Sequence, residues 1–162
     1  KDYRVSCGRK PRETLEEKII YNFYIMTQLT VTTLVEAPIE HVWECWTNPD
    51  HVMEWNHASD DWHCPAATND LTIGGTFCYT MAANDDSVKF DFEGTYTDVV
   101  EHERIEYSLA DDRHISVTFE EEGDKIRVTE IFDAENENPI EMQQAGWQAI
   151  LDNFRDYTEA SI

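Results

Sequence analysis

The stretch GGTFCYTMAANDDSVKFDFEGTY, residues 74–96, decides how this chain folds. Phe77, Tyr79 and Met81 alternate with smaller or polar residues, and Phe90 and Phe92 do the same after the turn signal at residues 84–87. A period of two on both sides of an Asn-Asp-Asp-Ser turn predicts a β-hairpin with one apolar face.

The same period recurs on either side of the hairpin. The further predicted strands are Leu29–Glu36, Ile105-Tyr107-Leu109, Ile115-Val117-Phe119 and Ile126-Val128-Phe132. The alternate positions of these strands carry polar side chains, such as Lys89, Asp91, Glu106 and Arg127. The other face of the sheet is therefore predicted to be exposed to solvent. The strands are joined by short turns, as in an antiparallel meander.

Helical spacing appears at three places. After Pro38, apolar residues at i, i+3, i+4 and i+7 predict one short helix, and Asn48-Pro49 opens a second that contains Trp55. A polar loop is predicted from there to Asp70. A long helix follows Pro139, and its apolar stripe is formed by Trp147, Ile150, Leu151, Phe154 and Tyr157. The predicted class is α+β.

The order of elements resembles a known family. The residues that carry the likeness are Pro38-Ile39-Glu40-His41-Val42-Trp43, Trp46-Thr47-Asn48-Pro49-Asp50-His51, Glu54-Trp55, Gly74-Gly75, Gly94, Gly146-Trp147 and Ile150-Leu151. They resemble the activator of heat-shock protein 90 ATPase (Aha-like) family, within the START, pollen-allergen-like and polyketide cyclase (SRPBCC) superfamily, over about residues 28–160. The resemblance implies a helix-grip fold, in which a curved antiparallel sheet wraps around the long C-terminal helix, with a hydrophobic cavity between them.

A ligand site is predicted where the apolar sheet face meets this helix. The candidate ligand-binding residues are Trp55, Trp62, Phe77, Tyr79, Met81, Phe90, Phe92, Tyr107, Phe119, Glu130, Trp147 and Leu151. Apolar walls with a few polar anchors are typical of small-molecule pockets. The same residues also suit an ordinary close-packed core; the family resemblance favours a cavity.

Glu130 is the unusual member of this set. It shares parity with Ile126, Val128 and Phe132, so the strand register points its carboxyl group inward. A buried carboxyl would have a raised pKa and could orient a ligand or act in acid–base chemistry. Two alternatives are a bulge that turns it outward and a hydrogen bond from Tyr79 or Tyr107.

Residues 54–64, EWNHASDDWHC, concentrate groups that bind metals. However, His57, His63 and Cys64 do not have a known zinc-ligand spacing, and the favoured interpretation is a loop beside the cavity with Trp55 and Trp62 as lining or lid. The sequence contains no Gly-x-Ser-x-Gly elbow or phosphate-binding loop. We therefore predict no catalytic residue, no metal and no cofactor.

The charge balance limits the partners. With 34 acidic and 12 basic side chains the net charge is −22, which repels phosphate backbones and anionic head groups. Nucleic acid and membranes are therefore not expected as partners, and a basic partner is the alternative.

No run of roughly 20 apolar residues occurs. The four cysteines have no framework spacing, which favours free thiols and a cytoplasmic location. The sequence is compatible with either a monomer or a homodimer.

The first 25 residues differ in composition from the rest. They hold six basic and four acidic side chains, leaving 6 of the 12 basic and 30 of the 34 acidic ones for the remainder. We expect residues 1–26 to be an N-terminal extension outside the natural domain and residues 27–162 to form the domain. The alternative is a native arm in which Thr14–Tyr24 forms a helix or edge strand.

The favoured function is binding of a small hydrophobic molecule, aromatic, polyketide-like or lipid-like, in the cavity. The family resemblance implies two alternatives. One is a co-chaperone-like domain that activates a heat-shock chaperone ATPase; the other is a polyketide cyclase or dehydratase. The sequence favours a binding protein over an enzyme.

Overall fold

The computed structural model describes residues 27–162, so the predicted extension at residues 1–26 lies outside the described residues. Within this range the chain forms seven strands and three helices. The strands are β1 (Gln28–Val35), β2 (Trp62–Asn69), β3 (Thr76–Ala83), β4 (Lys89–Val100), β5 (Arg104–Leu109), β6 (His114–Glu122) and β7 (Lys125–Asp133). The helices are α1 (Ile39–Thr47), α2 (Pro49–Trp55) and α3 (Ile140–Ala160).

The strands form a single antiparallel sheet in the order β1-β7-β6-β5-β4-β3-β2. The chain runs as a meander from β2 to β7, and β1 closes the far edge by pairing with β7. The sheet curls into a half-barrel with α3 on its concave side, which confirms the predicted α+β helix-grip fold. The hairpin predicted within residues 74–96 is confirmed: β3 pairs with β4, with Tyr79 opposite Phe92 and Met81 opposite Phe90.

One element was predicted wrongly. Residues 62–69 form edge strand β2, paired with β3, and not a polar loop. The register of β2 shifts between His63 and Ala66, on either side of Pro65. Proline cannot donate a ladder hydrogen bond and is tolerated in sheets at edges and bulges, so the strand lacks the alternation by which strands are recognised.

The two predicted short helices, α1 and α2, follow the first strand. The side chain of Asn48 caps α2 by accepting a hydrogen bond from the Asp50 amide at 3.0 Å, and Pro49 takes the first helical position. The indole of Trp55 donates to the Cys45 carbonyl at 2.9 Å, tying α2 to α1.

Helix α3 lies asymmetrically across the sheet. Its residues Leu151 and Phe154 point toward the core and are completely buried. Its backbone approaches β1 and the two short helices closely, without comparable contacts to β3, β4 and β5. The helix therefore leaves room above those three strands, which is where the cavity lies.

Within residues 27–162, no helix is long and apolar enough to cross a membrane. The cysteines of this range, Cys45, Cys64 and Cys78, are free thiols.

Candidate ligand-binding cavity

A cavity of about 580 Å³ lies between the sheet and α3. Its floor is an aromatic cluster around Phe77, whose ring centroid lies 4.9 Å from Tyr79, 5.8 Å from Phe92 and 4.8 Å from Tyr107. These side chains come from β3, β4 and β5 at positions of one parity, so the pleat turns them all to the concave face.

Gly94 makes the central position of Phe77 possible. It pairs with Phe77 across β3 and β4. A Cβ on Gly94 would lie 2.8 Å from the Phe77 ring and 3.0 Å from the Ser108 carbonyl oxygen. The absence of a side chain therefore lets the Phe77 ring approach the backbone of Gly94 closely.

The opposite wall comes from α3. Trp147 stacks on Phe132 of β7, with ring centroids 4.0 Å apart and planes 12° from parallel, and meets Phe92 edge-on at 6.0 Å. Ile150, one turn further along the helix, also lines the cavity. Trp147 thus spans the gap between α3 and two separated strands.

The short helices supply the end wall. Trp46 and Trp55 lie 5.3 Å apart, both pack against Phe154, and Asn56 adds an amide beside them. Trp46 is the i+7 member of the apolar helical spacing in α1, so the sequence pattern alone places it on the buried face of that helix.

Among residues 27–162, one buried carboxyl group lines the cavity. Glu130 is only 4 % exposed, and its neighbours across the sheet are Val31 and Val117. Burial raises the pKa of this carboxyl to about 8. Its burial and its place in the cavity lining confirm the predicted inward orientation. No residue among 27–162 forms a hydrogen bond or ion pair with it, so neither Tyr79 nor Tyr107 donates to it.

Three tyrosine hydroxyls also face the interior. Tyr96 donates to the Asn69 side-chain oxygen at 2.7 Å, and burial raises its pKa to about 12. Burial likewise raises the pKa of Tyr79, and its interaction with Tyr96 raises it further. The pKa of Tyr107 is raised first by burial and then by the charge of Glu130, which places these two groups within electrostatic range of each other.

A polar rim, formed by Arg113, Glu135, Glu137 and Asn138, borders the cavity. The Glu135 carboxylate accepts hydrogen bonds from the backbone amides of Glu137 and Asn138. These bonds lower its pKa, although partial burial acts in the other direction. Gln143 on α3 holds the same loop: it accepts from the Glu135 amide at 2.9 Å and donates to the Asn138 carbonyl at 2.7 Å.

Nine of the twelve residues predicted to bind a ligand line the cavity: Trp55, Phe77, Tyr79, Met81, Phe90, Phe92, Tyr107, Glu130 and Trp147. Their role in binding stays a prediction. Phe90 is 49 % exposed and meets Trp62 edge-on at 5.9 Å.

The structure places Trp62, Phe119 and Leu151 outside the lining. Trp62 lies on β2, beyond Phe90. Phe119 is buried against Trp43 and Trp46, at 5.3 and 5.7 Å, and Leu151 belongs to the packed core beneath α3. Parity correctly puts the latter two on the concave side, but it does not show where along that side the cavity ends.

Other lining residues were missed by the prediction: Trp46, Asn56, Tyr96, Ile105, Arg113, Glu135, Glu137, Asn138 and Ile150. Trp46, Tyr96, Ile105 and Ile150 belong to apolar patterns visible in the sequence. The rim residues lie in turns and loops, where no periodicity indicates direction.

The segment at residues 54–64 does not gather metal ligands. Within residues 27–162, no group of three or more His, Cys, Asp or Glu side chains could hold a metal ion. His57 instead joins α2 to α3, because Asn153 donates to its backbone carbonyl at 2.6 Å.

A curved antiparallel sheet that encloses an apolar cavity against a long C-terminal helix defines a helix-grip protein. Residues 36–159 match the sequence profile of the family described as Activator of Hsp90 ATPase homolog 1-like protein. The chain belongs to this family, which lies within the SRPBCC superfamily, as the sequence resemblance indicated.

Solved structures agree with this assignment. An AHSA1-like protein from Aeromonas hydrophila is 44 % identical, with a TM-score of 0.78 over 83 % of this chain and 94 % of that one. A Cytophaga hutchinsonii protein is 49 % identical, with a TM-score of 0.73 over 83 % and 93 % of the two chains. A Chromobacterium violaceum protein shares the fold at 21 % identity, with a TM-score of 0.74 over 82 % and 98 %. No curated protein sequence matches the chain.

Proposed function

We propose that this domain binds a small, largely apolar molecule in the cavity between the sheet and α3. The observation that carries the proposal is a cavity of about 580 Å³ lined by aromatic side chains, with a buried carboxyl group inside it. Ligand pockets commonly span roughly 300–1,000 Å³ and combine apolar walls with a few polar groups. The fold family commonly binds hydrophobic ligands, which supports the same function.

The walls supply affinity and the polar groups supply orientation. Removal of apolar ligand surface from water contributes about 25 cal/mol per Å² before the costs of immobilisation. Rings held by packing, such as Trp147 on Phe132, lose little further freedom when a ligand binds.

The experiment is a titration with fatty acids, flavonoid-like aromatics and polyketides. Binding is followed by calorimetry, by melting temperature and by the fluorescence of Trp46, Trp55 and Trp147, which line the cavity. We expect saturable quenching with a matching rise in melting temperature.

Two α3 variants localise the binding. Ile150→Trp places a large ring in the cavity and should abolish binding, whereas Ala145→Trp adds the same ring on the exposed side of α3 and should not. Equal effects of the two variants, or no response to the whole panel, would contradict the proposal.

The two alternative functions give different results. Addition of the protein to a heat-shock chaperone should leave the ATPase rate flat over a concentration series, since the proposal assigns the function to the interior. Bound ligands should be recovered chemically unchanged. A saturable rise in ATPase rate would favour the co-chaperone function, and a converted product would favour the cyclase function.

A further inference from the structure

Glu130 and Tyr107 form an unusual pair inside the cavity. Both side chains are buried and both line the cavity. Among residues 27–162, neither the Glu130 carboxyl nor the Tyr107 hydroxyl has a hydrogen-bond partner. Of the other two tyrosines, Tyr96 donates to Asn69 at 2.7 Å, and Tyr79 interacts with Tyr96. Both groups line the same cavity, where a bound molecule can supply the hydrogen-bond partner that residues 27–162 do not.

The protonation state of the pair determines what that partner can be. Burial raises the pKa of Glu130 to about 8, so at neutral pH the group is a carboxylic acid and carries an O–H. The pKa of Tyr107 is also raised, which keeps its hydroxyl protonated. The cavity therefore presents two O–H donors, and the complementary group is an acceptor.

Charge disfavours two classes of ligand, anions and cations. An anion would meet a protein of net charge −22. Among residues 27–162 the one cation that lines the cavity is Arg113, which lies at the rim and donates to Asp111 at 2.8 Å. A cationic amine would require an ion pair in an apolar wall, where desolvation of both charges opposes binding. A carbonyl oxygen accepts two hydrogen bonds and brings no charge.

We propose that the cavity selects uncharged, mostly apolar molecules that carry a carbonyl oxygen, which accepts hydrogen bonds from the carboxyl of Glu130 and the hydroxyl of Tyr107. This inference rests on the proposed ligand-binding function and names the class of ligand.

The proposal has a pH dependence because the Glu130 carboxyl stops donating when it ionises. The other titratable groups that line the cavity are Tyr79 of β3, Tyr96 of β4, Tyr107 of β5, Arg113 before β6, and Glu135 and Glu137 of the loop before α3; α1 and α2 contribute none. The raised pKa values of the three tyrosines keep their hydroxyls protonated to pH 9. Among the described residues that line the cavity interior, Glu130 is therefore the group expected to change its charge between pH 6.5 and 9.

Four naphthalene probes of similar size test the selection by calorimetry. They are 2-acetylnaphthalene (a ketone), 2-ethylnaphthalene (a hydrocarbon), 2-naphthoate (an anion) and 1-(2-naphthyl)ethylamine (a cation). At pH 6.5 we expect the ketone to bind at least tenfold more tightly than the other three. At pH 9 its affinity should fall about tenfold, in proportion to the protonated fraction of Glu130, while that of the hydrocarbon stays constant.

Three variants assign the effect to the pair. Glu130→Leu removes one of the two donors and should lower ketone affinity several-fold toward the hydrocarbon level. Glu130→Gln keeps a weaker, non-ionising donor, so it should reduce ketone affinity several-fold and abolish the pH dependence. Tyr107→Phe should reduce the ratio of ketone to hydrocarbon affinity. The infrared carbonyl stretch of ¹³C-labelled 2-acetylnaphthalene should lie at lower wavenumber in the wild type than in Glu130→Leu, since hydrogen bonding weakens the C=O bond.

The outcomes separate this proposal from the function on which it rests. If ketone and hydrocarbon bind equally well at both pH values, the carbonyl proposal is wrong and the cavity still binds ligands. Tightest binding of the amine or the naphthoate would overturn the selection for uncharged molecules. Failure of all four probes to bind would contradict both proposals.

Discussion

A carboxyl group such as that of Glu130 is costly to keep inside an apolar wall. Its oxygens open onto the cavity and have no partner among residues 27–162, and burial raises its pKa from about 4.5 to about 8. Between these values the unfolded chain releases a proton that the folded chain retains. The free energy of unfolding therefore falls as pH rises, by about 1.4 kcal/mol per pH unit.

This linkage predicts the effect of Glu130→Gln on stability. Below pH 4.5 the linkage should make little difference between the free energies of unfolding of the wild type and Glu130→Gln. The advantage of the variant should grow between pH 5 and 8, reach about 3 kcal/mol near pH 7 and level off above pH 8. Urea unfolding at unit steps of pH measures it. Glu121→Gln, at an exposed position on β6, is the control and should show no such growth. A constant difference between Glu130→Gln and wild type would show that Glu130 is ionised in the folded protein.

Gly94 gives a second prediction at the scale of single residues. Because an added Cβ would lie 2.8 Å from the Phe77 ring, Gly94→Ala should push that ring into the cavity and lower the free energy of unfolding by about 1–3 kcal/mol. Ligand affinity should fall as well. Gly146→Ala, in α3 with open space around it, should stabilise the protein by about 0.5–1 kcal/mol. Chemical denaturation compares the two, and equal effects would show that Phe77 yields without cost.

Individual residues also show how far the sequence predicts the site. The inward direction of Glu130 follows from strand parity alone, because the neighbouring apolar positions fix the register. Arg113 and Glu135 could not be placed, since they lie in loops where direction depends on hydrogen bonds such as those from Gln143. Nor could parity distinguish Phe119, in the packed core, from Tyr107, in the cavity.

At the scale of elements, the position of α3 creates the cavity. Its apolar stripe was predicted correctly, but the stripe cannot show that the helix lies nearer β1 than β4. That offset depends on contacts distant in sequence, such as the bond from Asn153 to the His57 carbonyl. Strand β2 was missed for a related reason: an edge strand with a bulge needs little hydrophobic alternation, since its hydrogen bonds to β3 hold it.

The junction between the rim and α3 is the next prediction. Gln143 holds the loop at residues 135–138 through a buried amide that both donates and accepts. Gln143→Glu removes the donor and adds a charge beside Glu135. It should cost about 1–3 kcal/mol of stability, speed hydrogen exchange of residues 135–138 and accelerate ligand dissociation. Ala145→Glu adds the same charge at an exposed position of α3 whose side chain makes no hydrogen bond, and should do none of these. Unchanged exchange in Gln143→Glu would show that the rim is held by Glu135 alone.

For the whole molecule, electrostatics is dominated by repulsion. Residues 27–162 contain 30 acidic and 6 basic side chains, and five of those basic side chains already lie in surface ion pairs. Such pairs contribute little individually, whereas a large net charge destabilises the compact state. The same negative field reduces the local concentration of anionic ligands, which is consistent with an interior suited to uncharged molecules.

The dominance of repulsion predicts how stability responds to salt. Salt screens the attraction within the few ion pairs and the repulsion among the many carboxylates, and the second effect is larger because acidic groups outnumber basic ones fivefold in this range. Raising NaCl from 10 mM to 0.5 M at pH 7 should therefore raise the free energy of unfolding by roughly 1 kcal/mol or more, as measured by urea unfolding. Near the sequence pI of about 4.3 the net charge vanishes, and the same addition of salt should have little effect. A loss of stability in salt at pH 7 would show instead that the surface ion pairs outweigh the repulsion between carboxylates.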